Sequence, residues 1–182
     1  MRTGLILALA LFMGLEVHAQ RRGILNQTAP TWGADRWFQL EEGKTSLDVE
    51  DFKGKVVYLY CFQSWCPGCH SHGFPTLKKV SERFKDDEEV AFVTIQTVFE
   101  GFGVNSIDKA KATAEKYDLK IPVGHSGLKG KRSTLMKGYR TGGTPWTIII
   151  DKEGVVRYND FRIQAGDAIK LIEKLKETKA DG

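Results

Sequence analysis

Residues 55–62 read KVVYLYCF, an unbroken run of β-branched, aromatic and aliphatic side chains. A strand with one face in water alternates apolar and polar residues, so a run without alternation fits a strand buried on both faces. A second such run, EVAFVTIQTV, begins at Glu89. Two strands of this kind need a covering layer on each side of their sheet, and the helical patterns between and after them supply candidates for both layers.

Leu77, Val80 and Phe84 recur at helical spacing within HSHGFPTLKKVSERF, where Pro75 should kink the helix or disturb its first turns. SIDKAKATAEKYDL reads as a helix with Ser106 as N-cap and Asp108 in its first turn. IPVGHS is a short strand and RSTLMKGY a short helix. WTIII and VVRY read as a hairpin turning at Asp151–Gly154. The last helix, AGDAIKLIEKLKETK, carries Ile169, Leu171, Ile172 and Leu175 on its apolar side. Upstream, residues 20–35 lack periodicity and read as an extended segment. RWFQLEEGKTSLDVEDFKGK reads as a short strand, a turn at Glu42-Gly43-Lys44 and a second short strand, an N-terminal β-hairpin extension. The fold class expected is α/β, a mixed central β-sheet flanked by helices, forming one domain over residues 36–182.

The chain opens with one positive charge at Arg2, an apolar run from Leu5 to Leu15 and a Val17-His18-Ala19 ending. That is a secretory signal layout over residues 1–19, with cleavage expected after Ala19 and an exported, periplasmic or extracytoplasmic, mature protein. The run is shorter than the roughly 18 residues that span a bilayer, which disfavours the alternative of a retained anchor. The net charge of +4 comes from dispersed basic residues. Only the stretch 128–132, LKGKR, is a patch, and no aromatic residues interleave with it, so nucleic acid is not an expected partner. Nothing in the sequence fixes an oligomeric state. The three cysteines, Cys61, Cys66 and Cys69, lie within nine residues, unlike the scattered even set of a disulfide scaffold.

Cys66-Pro67-Gly68-Cys69-His70 admits three readings. It satisfies the c-type haem attachment pattern, but a buried strand ending at the first cysteine is an unusual setting for one, and Met136 is the only methionine beyond the leader to serve as an axial ligand. A haem electron-transfer module is kept as the alternative of a different class. Zinc would draw on Cys66, Cys69, His70 and His72, all within seven residues, whereas structural zinc sites join separated segments. No metal or other cofactor is expected. A redox dithiol suits the setting best: the strand delivers Cys66 to a helix N-terminus, where unpaired N–H groups and the helix dipole stabilise a thiolate. Cys66 would attack a partner's disulfide and Cys69, one turn further in, would release the partner. Cys61, inside the buried strand, reads as a small apolar core residue. Glu100 reads as a solvated loop acid.

KVVYLYCFQSWCPGC together with the distant GGTPWTIIIDKEGVV resembles the thioredoxin superfamily, and within it the exported TlpA/ResA-type thiol-disulfide oxidoreductases. The resemblance runs from about Ala29 to the C-terminus. It implies a thioredoxin-like fold, a cis Thr144-Pro145 lying against the disulfide, and a partly exposed collar for peptide docking from Trp65 and Trp146. It implies a disulfide-containing protein as substrate, reduction as the direction and a membrane-bound electron donor. His70 and His72 are candidates for proton transfer to the thiols, with simple solvation as the plainer alternative. Three positions depart from the pattern. Tyr60 stands where thioredoxin carries a buried acid, His72 stands where ResA-like members carry a Glu, and Pro75 falls one residue late. A thiol peroxidase or a disulfide oxidant is the nearest enzymatic alternative; Gln63 occupies the position where a peroxidatic site places a threonine.

Overall fold

The structure, a computed structural model, describes residues 23–178. The signal segment and its cleavage point lie outside the described residues. Six strands form one sheet: β1 (Arg36–Phe38), β2 (Val56–Phe62), β3 (Val90–Thr97), β4 (Val123–Ser126), β5 (Trp146–Ile150) and β6 (Val156–Asp160), in the spatial order β1-β4-β3-β2-β5-β6. β2 pairs in parallel with β3, and β3 with β4, while β1, β5 and β6 join antiparallel, which makes the sheet mixed.

The unalternated run at β2 follows from this order. β2 lies at the centre, paired on both edges, and all seven of its residues are buried. Val56, Tyr58, Tyr60 and Phe62 face one layer, with Phe74, Leu77 and Val80 of α1 (Phe74–Arg83), Ala110 and Ala114 of α2 (Ile107–Lys116), and Ala168 and Ile172 of α4 (Ala165–Glu177). Val57, Leu59 and Cys61 face the other, with Leu135 of α3 (Thr134–Gly138) and a set of N-terminal side chains.

Those N-terminal side chains correct one expectation. Arg36–Phe38 is a strand, but it pairs with β4 rather than with a hairpin partner. The expected second arm is a 3₁₀ turn, Val49–Phe52, capped by Asp48, whose carboxylate accepts from the N–H of Val49 while Asp51 accepts from the N–H of Asp48. There is thus no N-terminal β-hairpin among the described residues. The reciprocal cap wins because Asp48 and Asp51 stand at capping-box spacing, and each satisfies a backbone donor that a strand would have left to a ladder. The extended segment is part of the core. Trp32 is fully buried, donates its indole N–H to the Tyr139 hydroxyl at 3.2 Å, and packs with Phe52 and Trp37.

The disturbance expected of Pro75 takes a definite form. Helical backbone starts at Pro67 and runs on into α1, but Cys69–Gly73 is a π-helical turn, closed by the N–H of Phe74 donating to the Cys69 carbonyl five residues back. Pro75 has no N–H to give and its ring crowds the preceding turn, so widening that turn relieves both problems. A π turn also holds one residue more than an α turn, matching the one-residue offset of Pro75. Ser106 caps α2 as expected, accepting from the N–H of Lys109. The β5–β6 turn is held by Asp151, whose carboxylate accepts from Glu153 and Val155 N–H and pairs with Arg157.

Candidate active site

β2 ends at Phe62, and its next residues turn over the top of the sheet. Gln63 is fully buried, accepts from the N–H of Cys66 with its carbonyl at 3.0 Å, and donates its side-chain amide to the Glu100 carbonyl. No hydroxyl therefore occupies the place where a peroxidatic site would put one. Ser64 is gripped by Gln96, whose Oε1 accepts from both its backbone N–H and its hydroxyl. Gln96 in turn reaches the carbonyls of Asn105 and Ser106 and Nδ1 of His125, 2.9 Å away, and Thr113 donates to the Ser64 hydroxyl at 3.1 Å. This network ties the turn before Cys66 to β3, β4 and α2. Sequence reasoning missed it. Its signal was the appearance of Gln96 and His125 in otherwise apolar strand runs, where a buried polar side chain needs partners. Burial holds the His125 pKa below its ordinary range, so it sits there as a neutral acceptor.

Cys66 emerges at the start of the helical backbone, with Pro67 as the first helical residue, where the missing N–H costs nothing. Its sulfur lies 3.4 Å from the carbonyl oxygen of Thr144, and the Thr144–Pro145 bond is cis. Gly68 makes this approach possible: a Cβ there would fall 3.1 Å from Pro145 Cδ. The three motif features, C-x-x-C, Pro-Gly and Thr-Pro, thus meet at one point. Cys69 is fully buried beneath them, and all three cysteines are free thiols.

The two thiols differ sharply. The Cys69 thiol donates to Cys66, and this, with help from Thr144 and the N–H groups of Cys69 and Gly68, overcomes partial burial and lowers the Cys66 pKa to about 5. Cys69 is pushed far up, first by burial and then by facing the Cys66 sulfur. Burial alone raises Cys61, which packs on the opposite face of the sheet. Of the two thiols, Cys66 is therefore the one that ionises readily, while Cys69 holds its proton.

The remaining candidates divide. Trp65 is 48% exposed beside Val104, which is also exposed, and its indole edge faces the loop at Gly101. Trp146, expected beside it in the collar, is instead 2% exposed, donates to the Asn159 side chain and belongs to the core. Its position in β5, opposite Cys61 of β2, turns the ring inward. Phe161, 40% exposed, packs edge-on against the Trp146 ring and carries the apolar surface outward on that flank. His70 was expected at the solvated start of the helix. Its two ring nitrogens are instead engaged, with the Ser64 carbonyl at 2.7 Å and the Tyr117 hydroxyl at 2.8 Å, and the ring stacks on Tyr117. His72 is exposed and meets the Ser71 hydroxyl. Glu100 is an exposed loop side chain.

This arrangement does not suit a haem. His70 has no free ring nitrogen to offer, Met136 is buried, and Pro145 closes over the thiols. Among the described residues no three His, Cys, Asp or Glu side chains converge as a metal site, and no helix is long and apolar enough to cross a membrane.

Residues 25–159 match the model of the AhpC/TSA family. Among curated proteins, the chain is 29% identical over 115 residues to the thiol-disulfide oxidoreductase ResA of Bacillus thuringiensis subsp. konkukian (strain 97-27), covering 63% of this chain and 59% of that one. It is equally similar to the thioredoxin-like protein YneN of Bacillus subtilis (strain 168), 29% identical over 114 residues at the same coverage. The chain thus spans about three fifths of the length of these curated relatives. Among solved structures, a thioredoxin-like superfamily protein, SPOA0173, superposes with a TM-score of 0.76 at 33% identity, covering 84% of this chain and 98% of that one. A thiol-disulfide isomerase from Corynebacterium glutamicum superposes with a TM-score of 0.71 at 30% identity, covering 83% and 98%. With a family match over most of its length and a TM-score of 0.76 to a thioredoxin-like superfamily protein, the chain belongs to the AhpC/TSA family and has the thioredoxin-like fold.

Proposed function

We propose that this protein is an exported thiol-disulfide oxidoreductase that reduces disulfides in other proteins. The observation that carries the reading is the asymmetry of the two thiols: Cys66, 9% exposed with its pKa lowered to about 5, and a fully buried Cys69 behind it whose pKa is pushed far up. The Cys66 thiolate attacks one sulfur of the substrate disulfide, forming a mixed disulfide and expelling the other substrate sulfur as a thiolate. Cys69 then attacks Cys66, forming the Cys66–Cys69 bond as the substrate's second sulfur departs. Two electrons pass to the substrate, and an exported protein recovers them from a membrane-bound donor of two electrons. The names of the ResA relatives support this chemistry, and the residue 1–19 pattern supports export.

In this reading Trp65 supplies the exposed apolar rim on one side of the attacking sulfur, and Thr144 presents backbone to an incoming peptide on the other. Trp146 acts from below, as the support for Phe161 and the cis-proline strand. His72, exposed one turn from Cys69, remains available for proton transfer, whereas His70 clamps the motif turn to Tyr117.

Trapping tests the mechanism. A Cys69→Ser variant incubated with an oxidised protein substrate is expected to accumulate a mixed disulfide through Cys66, and Cys66→Ser none. Adducts through Cys69, or no adduct at all, would refute it. N-terminal sequencing of the protein from its native cell tests export; the expected first residue is Gln20, and retention of Met1 would count against it.

A further inference from the structure

Tyr60 stands on β2 with its ring fully buried, edge-on to Phe74 at 5.2 Å and stacked near Phe62 at 6.3 Å, so its hydroxyl has one fixed direction. That direction leads into the π turn. The hydroxyl donates to the Cys69 carbonyl oxygen at 3.5 Å and so stands beside the thiol of the same residue. The turn is shaped to receive it: a Cβ on Gly73 would lie 1.8 Å from the Tyr60 oxygen, so only glycine leaves the space. The widened turn, the glycine at its end and the phenol that fills it form one construction around the sulfur of Cys69.

We infer that the Tyr60 hydroxyl is a catalytic hydrogen-bond donor to the Cys69 sulfur, stabilising the thiolate that this cysteine becomes each time the dithiol closes or opens. The inference rests on the thiol-disulfide reading above. When a mixed disulfide resolves, Cys69 sheds its proton and attacks Cys66. The Cys66–Cys69 bond forms as the Cys66–substrate bond breaks, the electron pair leaves on the substrate sulfur, and that sulfur takes up a proton through solvent in place of the one Cys69 lost. When the disulfide is reduced again, Cys69 is the leaving thiolate. In both directions negative charge appears on a fully buried sulfur, and an uncompensated buried charge is costly. A phenol O–H that turns from the neighbouring carbonyl to the charged sulfur offsets that cost without bringing a charge of its own. Burial and the facing Cys69 both keep Tyr60 protonated, which a donor requires.

The test isolates Cys69 from any substrate. In a Cys66→Ser background, the rate of iodoacetamide alkylation at Cys69 is followed against pH, with adducts mapped so that Cys61 is counted separately. Adding Tyr60→Phe is expected to slow Cys69 alkylation about tenfold throughout the neutral pH range, where the buried thiol is protonated and the rate follows its small thiolate fraction, the loss of one hydrogen bond to a charged group. The sign separates this role from a structural one, since a loosened turn would expose Cys69 and speed the reaction. In the full dithiol protein, Tyr60→Phe is expected to slow release of the mixed disulfide by a similar factor while leaving alkylation of Cys66 within about twofold. An unchanged or faster Cys69 profile overturns the inference, whatever the protein does with disulfides. A protein that forms no mixed disulfide through Cys66 would defeat the proposed function instead, while the Cys69 profile would still decide what Tyr60 does.

Discussion

The sulfur of Cys66 and the carbonyl oxygen of Thr144 lie 3.4 Å apart, although 78 residues separate them in the chain. The contact pins the loop before β5 over the motif. The carbonyl accepts from the Cys66 thiol and so does not itself stabilise the thiolate. Every group that favours the Cys66 thiolate is neutral: first the Cys69 thiol, then the Thr144 side-chain hydroxyl and the N–H groups of Cys69 and Gly68.

Reduced protein treated with limiting iodoacetamide should therefore be labelled at Cys66 far ahead of Cys69, with Cys61 inert. The rate should rise with a midpoint near pH 5, well below the ordinary thiol range near 8.5. The same depression couples to stability. Because the folded pKa is lowered, the contribution is complete above the unfolded thiol's pKa and disappears as pH falls through about 5. Thermal melts of the reduced protein against Cys66→Ser should diverge progressively as pH rises through that window. Predominant labelling of Cys69, or a midpoint near 8.5, would contradict the assignment.

The two tryptophans flanking the motifs should respond in opposite ways. Trp65→Ala removes an exposed side chain and should change stability by less than about 0.5 kcal/mol, while raising KM for a protein disulfide with little change toward a small one. Trp146→Ala empties a core position and should cost about 3–5 kcal/mol. Denaturant unfolding alongside substrate kinetics checks both. A large stability loss at Trp65 would remove it from the docking rim.

How far these positions could be read beforehand depends on where their partners lie. β2, β3 and the β5–β6 hairpin declare themselves because burial on both faces or a tight turn leaves a local mark in the composition. Cys66 and Cys69 declare themselves by spacing, and Thr144-Pro145 only through the family resemblance. Trp146 did not, because a residue beside a surface loop can point either way, and the choice is made by pairing with Cys61 on β2. Trp32 was opaque for a similar reason: an aperiodic extended segment buries its side chains wherever the sheet's second face lies open, and that face is built by residues far ahead in the chain. His70 looked solvated because its partner Tyr117 is 47 residues away.

Gly73 should be the least replaceable glycine of the motif region. Its backbone is ordinary helix, φ −62°, so alanine is conformationally acceptable and even favoured by propensity, by up to about 1 kcal/mol. The obstacle is steric: the new Cβ meets the Tyr60 oxygen at 1.8 Å and ring carbons at 2.5 and 2.8 Å. Overpacking of this severity should outweigh the propensity gain and destabilise by about 1–3 kcal/mol net. Combining Gly73→Ala with Tyr60→Phe should recover only part of the loss, since the ring carbons still clash. Urea midpoints of the two singles and the double measure the coupling; additive losses would show that the two residues do not meet as described.

The reduction potential decides direction, and two features of the site bound it. A stabilised Cys66 thiolate favours the reduced form and so raises the potential. Thioredoxin, with a nucleophile pKa of about 7, sits near −270 mV; DsbA, at about 3.5, sits near −120 mV. A pKa of about 5 from neutral donors alone falls between them, and Tyr60, where a charge would act most strongly on the pair, carries none. The expected potential at pH 7 is about −230 to −180 mV, low enough to reduce protein disulfides of higher potential. The pH dependence is the stricter check. Above about pH 5 only Cys69 binds a proton on reduction, so the potential should fall by about 30 mV per pH unit through neutrality; below pH 5 both thiols do, and the slope should steepen to about 59 mV. Equilibration against glutathione from pH 4 to 8 gives both quantities. A slope of about 59 mV persisting through pH 7 would mean that Cys66 is protonated there and that the hydrogen bonds around it do not act as described. A value above about −150 mV at pH 7 would make the protein an oxidant and overturn the proposed direction while leaving the dithiol chemistry in place.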